Sequence, residues 1–404
     1  MTIAGIFLIR LLLPVLSWMQ RCDLNDSART ANREENSMWK ATSLAAGMAA
    51  ILLASGTQSG VAQTPQKLRV QASFPASSIA MDGFRLWSDR VKTMSSGRLE
   101  IEGLPAGTVV PAFEVLDAVH KQVVDGGFSA SAYWVGKHRA AALFGSTPGG
   151  PLGMDEMDFM GWLYTAGGLD FYHELYNVEL KRNVVVIPVV AVGNQVFGWF
   201  AKPVKSWEDL KGRKCRQTGL TAEVMAKAGI TPVNMPGGEI VPAAERGVIE
   251  CAEWSSPADD MKIGFHVVWK HYYMPSVHEP APILEVLING DVWKKLAPDL
   301  QQMLKTAAWE ATFMQRINTN KWNVEALEEL RTKHGVQTHR TPDDILKKIL
   351  ETWDEIAKEE EAKSPFFKKV YDSQRAYAGK IVPMRRGTYP DYNFAANHYY
   401  PEKK

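Results

Sequence analysis

Five residues of this 404-residue chain carry the side-chain chemistry of a small charged site. Gln195 opens one apolar stretch, Arg216 closes a second, Glu253 and Trp254 close a third, and Glu279 follows a fourth. In an α/β unit, ligands gather at the carboxyl ends of the strands. A buried guanidinium there needs an anion, and a small carboxylate fits its planar fork through two parallel hydrogen bonds. Two carboxylates beside that arginine need a cation or mutual neutralisation. A hard metal ion ligated only by oxygen would answer both needs. Glu253, Glu279, the Trp254 carbonyl and the Gln195 amide would supply such oxygens. The same residue types admit a plainer arrangement, a structural Arg216–Glu253 ion pair with Glu279 in solvent. Spacing alone does not choose between the two.

Other chemistry finds less support. There is no Gly-x-Ser-x-Gly elbow, no His-Glu-x-x-His pair and no Gly-Lys-Ser/Thr phosphate loop. His120, His138, His173, His266, His271 and His278 are scattered without ligand spacing. The chain has 3 Cys, too few for a disulfide framework. Cys215 and Cys251 fall on expected buried strands and read as small core residues, not reactive thiols. An enzyme would use Glu253 and Glu279 as an acid/base pair. A ligand-sensing scaffold is the other competing class.

The elements that must position these residues alternate. Lys67–Ser73 reads as a strand. Ser78–Ser95 reads as a helix with Phe84, Trp87, Val91 and Met94 on one face, closed by Gly97. A strand at Arg98–Glu102, a helix at Ala112–Val124 and a strand at Gly126–Ala132 follow. This β-α-β-α-β order predicts a mostly parallel sheet between helices. A Gly/Pro-rich loop at 144–153 and helical material at Met154–Leu180 lead to a second alternation. Its strands are expected at Val184–Val192, Gln195–Ala201, Lys214–Gln217, Thr231–Met235, Val248–Trp254 and His271–Val277. Helices are expected at Thr221–Ala228 and Gly237–Arg246. The two units meet near Ala191–Gln195, with a return crossing near His278–Leu284. Pro298–His334 is the longest helical pattern, with Leu300, Met303, Leu304, Ala307, Ala311, Met314 and Ile317 on its apolar face. At 1.5 Å per residue it would reach roughly 55 Å, enough to span both units. Helices at Thr341–Ala362 and Pro365–Val382 close the pattern.

Composition fits a globular protein, with 46% hydrophobic and 23% charged residues and a net charge of +1. No basic excess points to nucleic acid. Near the start, Met38-Trp39-Lys40, the apolar run Leu44–Ala54 and the small residues Ser59–Ala62 read as a signal peptide over 38–62. Residues 1–37 read as an upstream extension from a start site called too early. No later stretch is apolar enough to span a bilayer. The expected compartment is the periplasm.

From Leu68 to the last helix, the chain resembles the DctP-like solute-binding proteins of tripartite ATP-independent periplasmic (TRAP) transporters. The resemblance rests on Trp207-Glu-Asp-Leu210-Lys-Gly-Arg-Lys-Cys-Arg216, Ala228-Gly229, Pro232-Val233 and Met235-Pro236-Gly-Gly-Glu239. It continues through Ala243-Ala-Glu-Arg-Gly247, Ile249-Glu-Cys-Ala-Glu253-Trp254 and Val292–Gln302. Gly193-Asn-Gln195, Ala252-Glu-Trp254 and His278-Glu279 are similar to a branch that binds 2-oxo acids; related members bind lactate through calcium, and others are assigned mannitol or chloroaromatic acids.

The resemblance implies a two-lobed, type II-like α/β binding fold with a long helix spanning both lobes. Lobe I would take residues 63–191 and 280–310, and lobe II residues 192–279. Residues 311–404 would pack across them. It implies a non-enzymatic role, with Gln195 and Arg216 touching a small carboxylate and Glu253, Trp254 and Glu279 holding a sodium or calcium ion. TRAP membrane permease subunits would receive the cargo. A homodimer that exchanges the last helices stays open. Two departures concern the pocket wall. Glu239-Ile-Val-Pro-Ala-Ala replaces a more aromatic Glu-x-Tyr pattern, and Tyr133 reads equally well as a ligand cap or as core.

Overall fold

The computed structural model describes residues 65–145 and 147–401. The expected signal peptide at 38–62 and the extension before it lie outside the described residues. Eleven strands in the described residues form two sheets. They are β1 Gln66–Ala72, β2 Leu99–Leu104, β3 Gly126–Ser129, β4 Val184–Ala191, β5 Gly198–Phe200 and β6 Lys214–Arg216, then β7 Thr231–Val233, β8 Cys251–Ala252, β9 His271–Met274, β10 Ile283–Asn289 and β11 Gln337–Arg340. The first sheet runs β2-β1-β3-β10-β4 and the second β11-β9-β5-β8-β6-β7. The chain leaves the first sheet after β4, builds most of the second, and returns at β10.

Neither sheet is as parallel as the alternation predicts. β1 is parallel to β2 and β3, but β10 is antiparallel to β3 and β4. In the second sheet β5 is antiparallel to β8 and β9. The reason is the pair of crossings. A strand that enters a sheet from the other lobe has no crossover helix of its own, so it need not run parallel.

Helix α1 (Ile79–Met94) packs on the first sheet. Ser78 caps it, with Oγ accepting from the Ala80 N–H at 3.2 Å, and Gly97 follows its end at φ +77°. Phe84, Trp87 and Val91 are buried as expected, each worth about 2 kcal/mol over exposure. Met94, in the last turn, is 38% exposed, beyond the reach of the sheet. The chain continues with α2 (Val115–His120), α3 (Glu156–Thr165), α4 (Gly168–Glu174), α5 (Thr221–Lys227), α6 (Gly237–Glu245), α7 (Pro257–Ile263), α8 (Phe265–Val268) and α9 (Gly290–Lys295).

The long helix α10 (Pro298–Thr332) begins at a proline in its first turn and is followed by Gly335 at φ +64°. Its buried face runs through Leu300, Leu304, Ala307 and Ala311, then Thr312, Gln315 and Thr319. Met314 and Ile317, expected inside, are partly exposed. Polar side chains take over because they bond to the first lobe. Thr312 Oγ1 accepts the Val190 N–H at 3.0 Å, and Gln315 Nε2 donates to the Ile79 carbonyl at 3.0 Å. Farther along, Asn323 Oδ1 accepts the Ala258 N–H at the start of α7. One helix therefore touches both lobes.

Beyond it, α11 (Asp343–Lys363) lies against α5, with Lys227 Nζ 3.0 Å from Glu355 Oε2. Helix α12 (Pro365–Thr388) lies against the first lobe, where Gln374 Nε2 donates to the Leu143 carbonyl at 2.6 Å. A last helix, α13 (Tyr392–Tyr399), was not expected and has no buried residue.

Cys215 and Cys251 are joined in a disulfide, which corrects the reading of two separate core thiols. They are directly paired residues of the parallel strands β6 and β8. That register brings the two sulfurs together, and composition could not reveal it.

Candidate ligand and cation site

Arg216 ends β6 and is 1% exposed. Its Nη1 donates to the Glu253 carbonyl at 2.9 Å and to Glu253 Oε1 at 2.5 Å, and its Nε donates to the Met235 carbonyl at 3.3 Å. The guanidinium carbon lies 5.2 Å from the centre of the Trp254 ring, within cation–π range. Parallel pairing of β6 with β8 sets this up, because Arg216 lies opposite Ala252 and Glu253 comes next.

The expected strand Val248–Trp254 is only two residues long for a related reason. The Val248 N–H closes α6 by donating to the Ala243 carbonyl, so the chain joins the sheet late. After Ala252 it turns into the cavity, carrying Glu253 and Trp254. Gly237, at the start of α6, leaves room for the Trp254 indole. A Cβ there would lie 2.4 Å from the ring.

Gln195 and Glu279 lie on the two crossing segments and are tied together. The Gln195 N–H donates to the Glu279 carbonyl at 3.0 Å, and Gln195 Nε2 donates to Glu279 Oε2 at 2.6 Å. The expected strand from Gln195 begins only at Gly198, because Val196 bonds to Ser255 while Phe197 bonds to Tyr273. Gly198 adopts φ +137° against the Ala252 carbonyl, where a Cβ would lie 2.6 Å from the oxygen.

All five residues line one cavity, together with Phe74, Ser78, Tyr133, Thr218, Ser255 and Asp259. About 40 Å³ of it is open to water, room for a ligand of a few heavy atoms and far below a drug-sized pocket. The first sheet's side of the chain supplies Phe74, Ser78 and Tyr133, and the second supplies Arg216, Glu253 and Trp254.

The electrostatics are unbalanced. Burial holds the Glu253 carboxyl above its ordinary value, although Arg216 pulls it down. Burial also pushes Asp259 up to about 6. The Tyr133 hydroxyl is pushed up to about 12, first by burial, with Arg216 opposing and Glu253 and Glu279 reinforcing. The cavity lining thus holds one guanidinium, Arg216, and three carboxyl groups, Glu253, Asp259 and Glu279. Gln195 Oε1 and Ser255 Oγ are buried and have no hydrogen-bond partner among the described residues. An orphaned amide oxygen on a side chain bonded to Glu279, in a cavity that Glu253 also lines, suits a cation. His278, next to Glu279, is pushed down to about 3 by burial and stays neutral.

Of the other lining residues only Tyr133 was picked out from the sequence. Ser78 and Asp259 both line the cavity, and both look like ordinary helix caps. Asp259 lies in the first turn of the short helix α7, which the strand and helix pattern did not mark.

The model of bacterial extracellular solute-binding protein family 7 (DctP) matches residues 71–364. The chain belongs to that family. A monocarboxylate 2-oxoacid-binding periplasmic protein of Nostoc sp. is 35% identical over 330 residues, covering 81% of this chain and 89% of the relative. Among solved structures, a TRAP transporter solute-binding protein of Bordetella bronchiseptica aligns with a TM-score of 0.78 at 28% identity, over 83% of this chain and 99% of that one. It is a dimer of mixed occupancy, with calcium and picolinate bound in one active site. A TRAP periplasmic solute-binding protein of Pseudoalteromonas atlantica, holding sodium and pyruvate, aligns at 0.75 and 29% identity, over 84% and 100%. This family 7 protein is accordingly a TRAP-type solute-binding protein with the two-lobed fold of its relatives. No helix among the described residues is long and apolar enough to cross a membrane.

Proposed function

We propose that this family 7 protein captures a small monocarboxylate with an oxygen next to the carboxylate, together with a calcium or sodium ion. A 2-oxo acid such as pyruvate fits best, and a 2-hydroxy acid such as lactate has the same donor geometry. The observation that carries this is the convergence of Arg216 with Gln195, Glu253 and Glu279 on one small buried cavity. Arg216 holds the ligand carboxylate and Gln195 orients it. Glu253, the Trp254 carbonyl and Glu279 hold the cation. A cation held there would offset the negative charge of the glutamates and favour a ligand with an oxygen next to its carboxylate. Tyr133 covers the ligand from the first lobe.

Residues 63–191 with 280–310 act as lobe I and 192–279 as lobe II, with 311–404 across them. The crossings at 192–197 and 275–282 serve as the hinge, and the lobes close over the ligand. No bond in the ligand is made or broken. Glu253 is anchored to Arg216, which suits a fixed ligand group better than a mobile general base. The protein is exported by its signal peptide at 38–62 and hands its cargo to TRAP permease subunits. It pairs with a second copy through its last helix. Tyr392, Phe394, Tyr399 and Tyr400 are all more than two-thirds exposed, and an isolated eight-residue helix is marginal in water. Light scattering on the intact chain and on a form ending at Thr388 checks this; a monomeric intact chain contradicts it.

A thermal-shift panel tests the main reading. Pyruvate and lactate with calcium or sodium should raise the melting temperature, and propionate, which has no oxygen beside its carboxylate, should not. Equal shifts for all three acids, or turnover of the bound acid, would overturn it.

A further inference from the structure

We infer that Asp259 is the positioning residue that fastens the closed cleft, linking the indole of Trp254 to the start of α1 in the other lobe. This rests on the carboxylate-binding reading above. Asp259 lies on α7, which follows the second-sheet strand β8, and it is 2% exposed. Its Oδ1 accepts the Ile79 N–H at 2.8 Å. Its Oδ2 accepts from Ser78 Oγ at 3.0 Å and from Trp254 Nε1 at 2.8 Å. Ser78 and Ile79 begin a helix of the first lobe, 16 residues long.

The first N–H groups of a helix have no partner inside it, and they carry its positive end. Ser78 serves one of them within its own lobe. Asp259 serves another from across the cleft. Three residues on, Lys262 Nζ lies 2.9 Å from Asp82 Oδ2, joining the same two helices on the surface. That second link is exposed and contributes little. The Asp259 link is buried and charge-assisted, the stronger class.

Opening the lobes separates Asp259 from Ser78 and Ile79 and leaves its carboxylate with Trp254 alone. The cost of that separation favours the closed form. Trp254 ties the latch to the site, since its ring lies 5.2 Å from the Arg216 guanidinium and it directly follows Glu253 in the chain. A ligand that orders Trp254 therefore orders Asp259 for the docking of α1.

The test compares wild type with Asp259→Asn, a near-isosteric change that turns an N–H toward the donors. Stopped-flow binding of pyruvate with calcium should show dissociation roughly tenfold to a hundredfold faster, with association nearly unchanged. A change confined to association, or none, overturns the latch. Lys262→Ala is the control and should leave dissociation within about twofold. Small-angle scattering keeps this result separate from the choice of ligand. If wild type ignores pyruvate, the substrate reading fails, yet Asp259→Asn should still be less compact than wild type as purified. Superimposable scattering in every condition overturns the latch whatever the cargo is. Far-ultraviolet circular dichroism establishes that the variant is folded, and Asp259→Ser serves in its place if it is not.

Discussion

Arg216→Lys separates the charge of the guanidinium from its geometry. The arginine spends Nε on Met235 and Nη1 on the carbonyl and carboxylate of Glu253. Nη2 carries two more N–H groups. An ammonium has three donors at one point and no planar fork. It can keep the Glu253 contact, but it loses Met235 and the Nη2 N–H groups left to meet a ligand carboxylate. Each charge-assisted bond is worth about 1.5–3 kcal/mol. Two are lost from the complex and a lysine recovers part of one. The net loss in binding is about 2–4 kcal/mol, or about thirtyfold to a thousandfold in Kd. The fold should survive, because Glu253 keeps a positive neighbour. Arg216→Ala removes it, and stranding a buried carboxylate costs about 3–5 kcal/mol of stability. Calorimetry with pyruvate at fixed calcium reads the affinity, and thermal melts read the fold. A lysine variant that binds within about threefold of wild type would refute the role given to the fork.

Three further outcomes follow from the same geometry. Gly237→Ala should displace the Trp254 ring and weaken pyruvate binding while leaving secondary structure intact, as tryptophan fluorescence and calorimetry together would show; unchanged affinity would mean the ring's seat is unimportant. Asp260 accepts from Trp199, Tyr272 and the Ser255 N–H, yet burial pushes it up to about 8. The folded protein therefore holds a proton that the unfolded chain releases above about 4, so stability should fall as pH rises from about 4 to 8 and then level off, by an amount on the order of a few kcal/mol. Urea unfolding of Asp260→Asn should show a flatter dependence, and parallel curves would contradict it. Replacing Cys215 and Cys251 together with serine should lower stability by about 2–4 kcal/mol in urea unfolding; a smaller loss than 1 kcal/mol, on the order of experimental error, would show the bridge to be dispensable.

Residue pattern was most informative where one face of an element packs on a sheet. Phe84, Trp87 and Val91 recur at helical spacing and are buried together. Pro298 and Gly335 bracket the long helix as capping chemistry predicts. It failed where backbone bonding is irregular. Val248 and Ile249 look like a strand because they are apolar and β-branched, but Val248 closes α6. Gln195 and Val196 look like the start of a strand, but they bond to two different partners. The five candidate residues sit at ends of apolar stretches, which is why they were visible. Their convergence depends on crossings and sheet order, which no local pattern encodes. Asp259 was missed because its partner, the start of α1, is 180 residues away in sequence. The disulfide was missed because it depends on the register of β6 against β8.

Calorimetry with a chelated protein tests the central claim most directly. The protein is stripped of metal and dialysed into buffer free of sodium, then titrated with pyruvate alone, with calcium and with sodium. Binding should be lost in the stripped protein and restored by one of the two cations. The same affinity for pyruvate with no cation present would contradict the account.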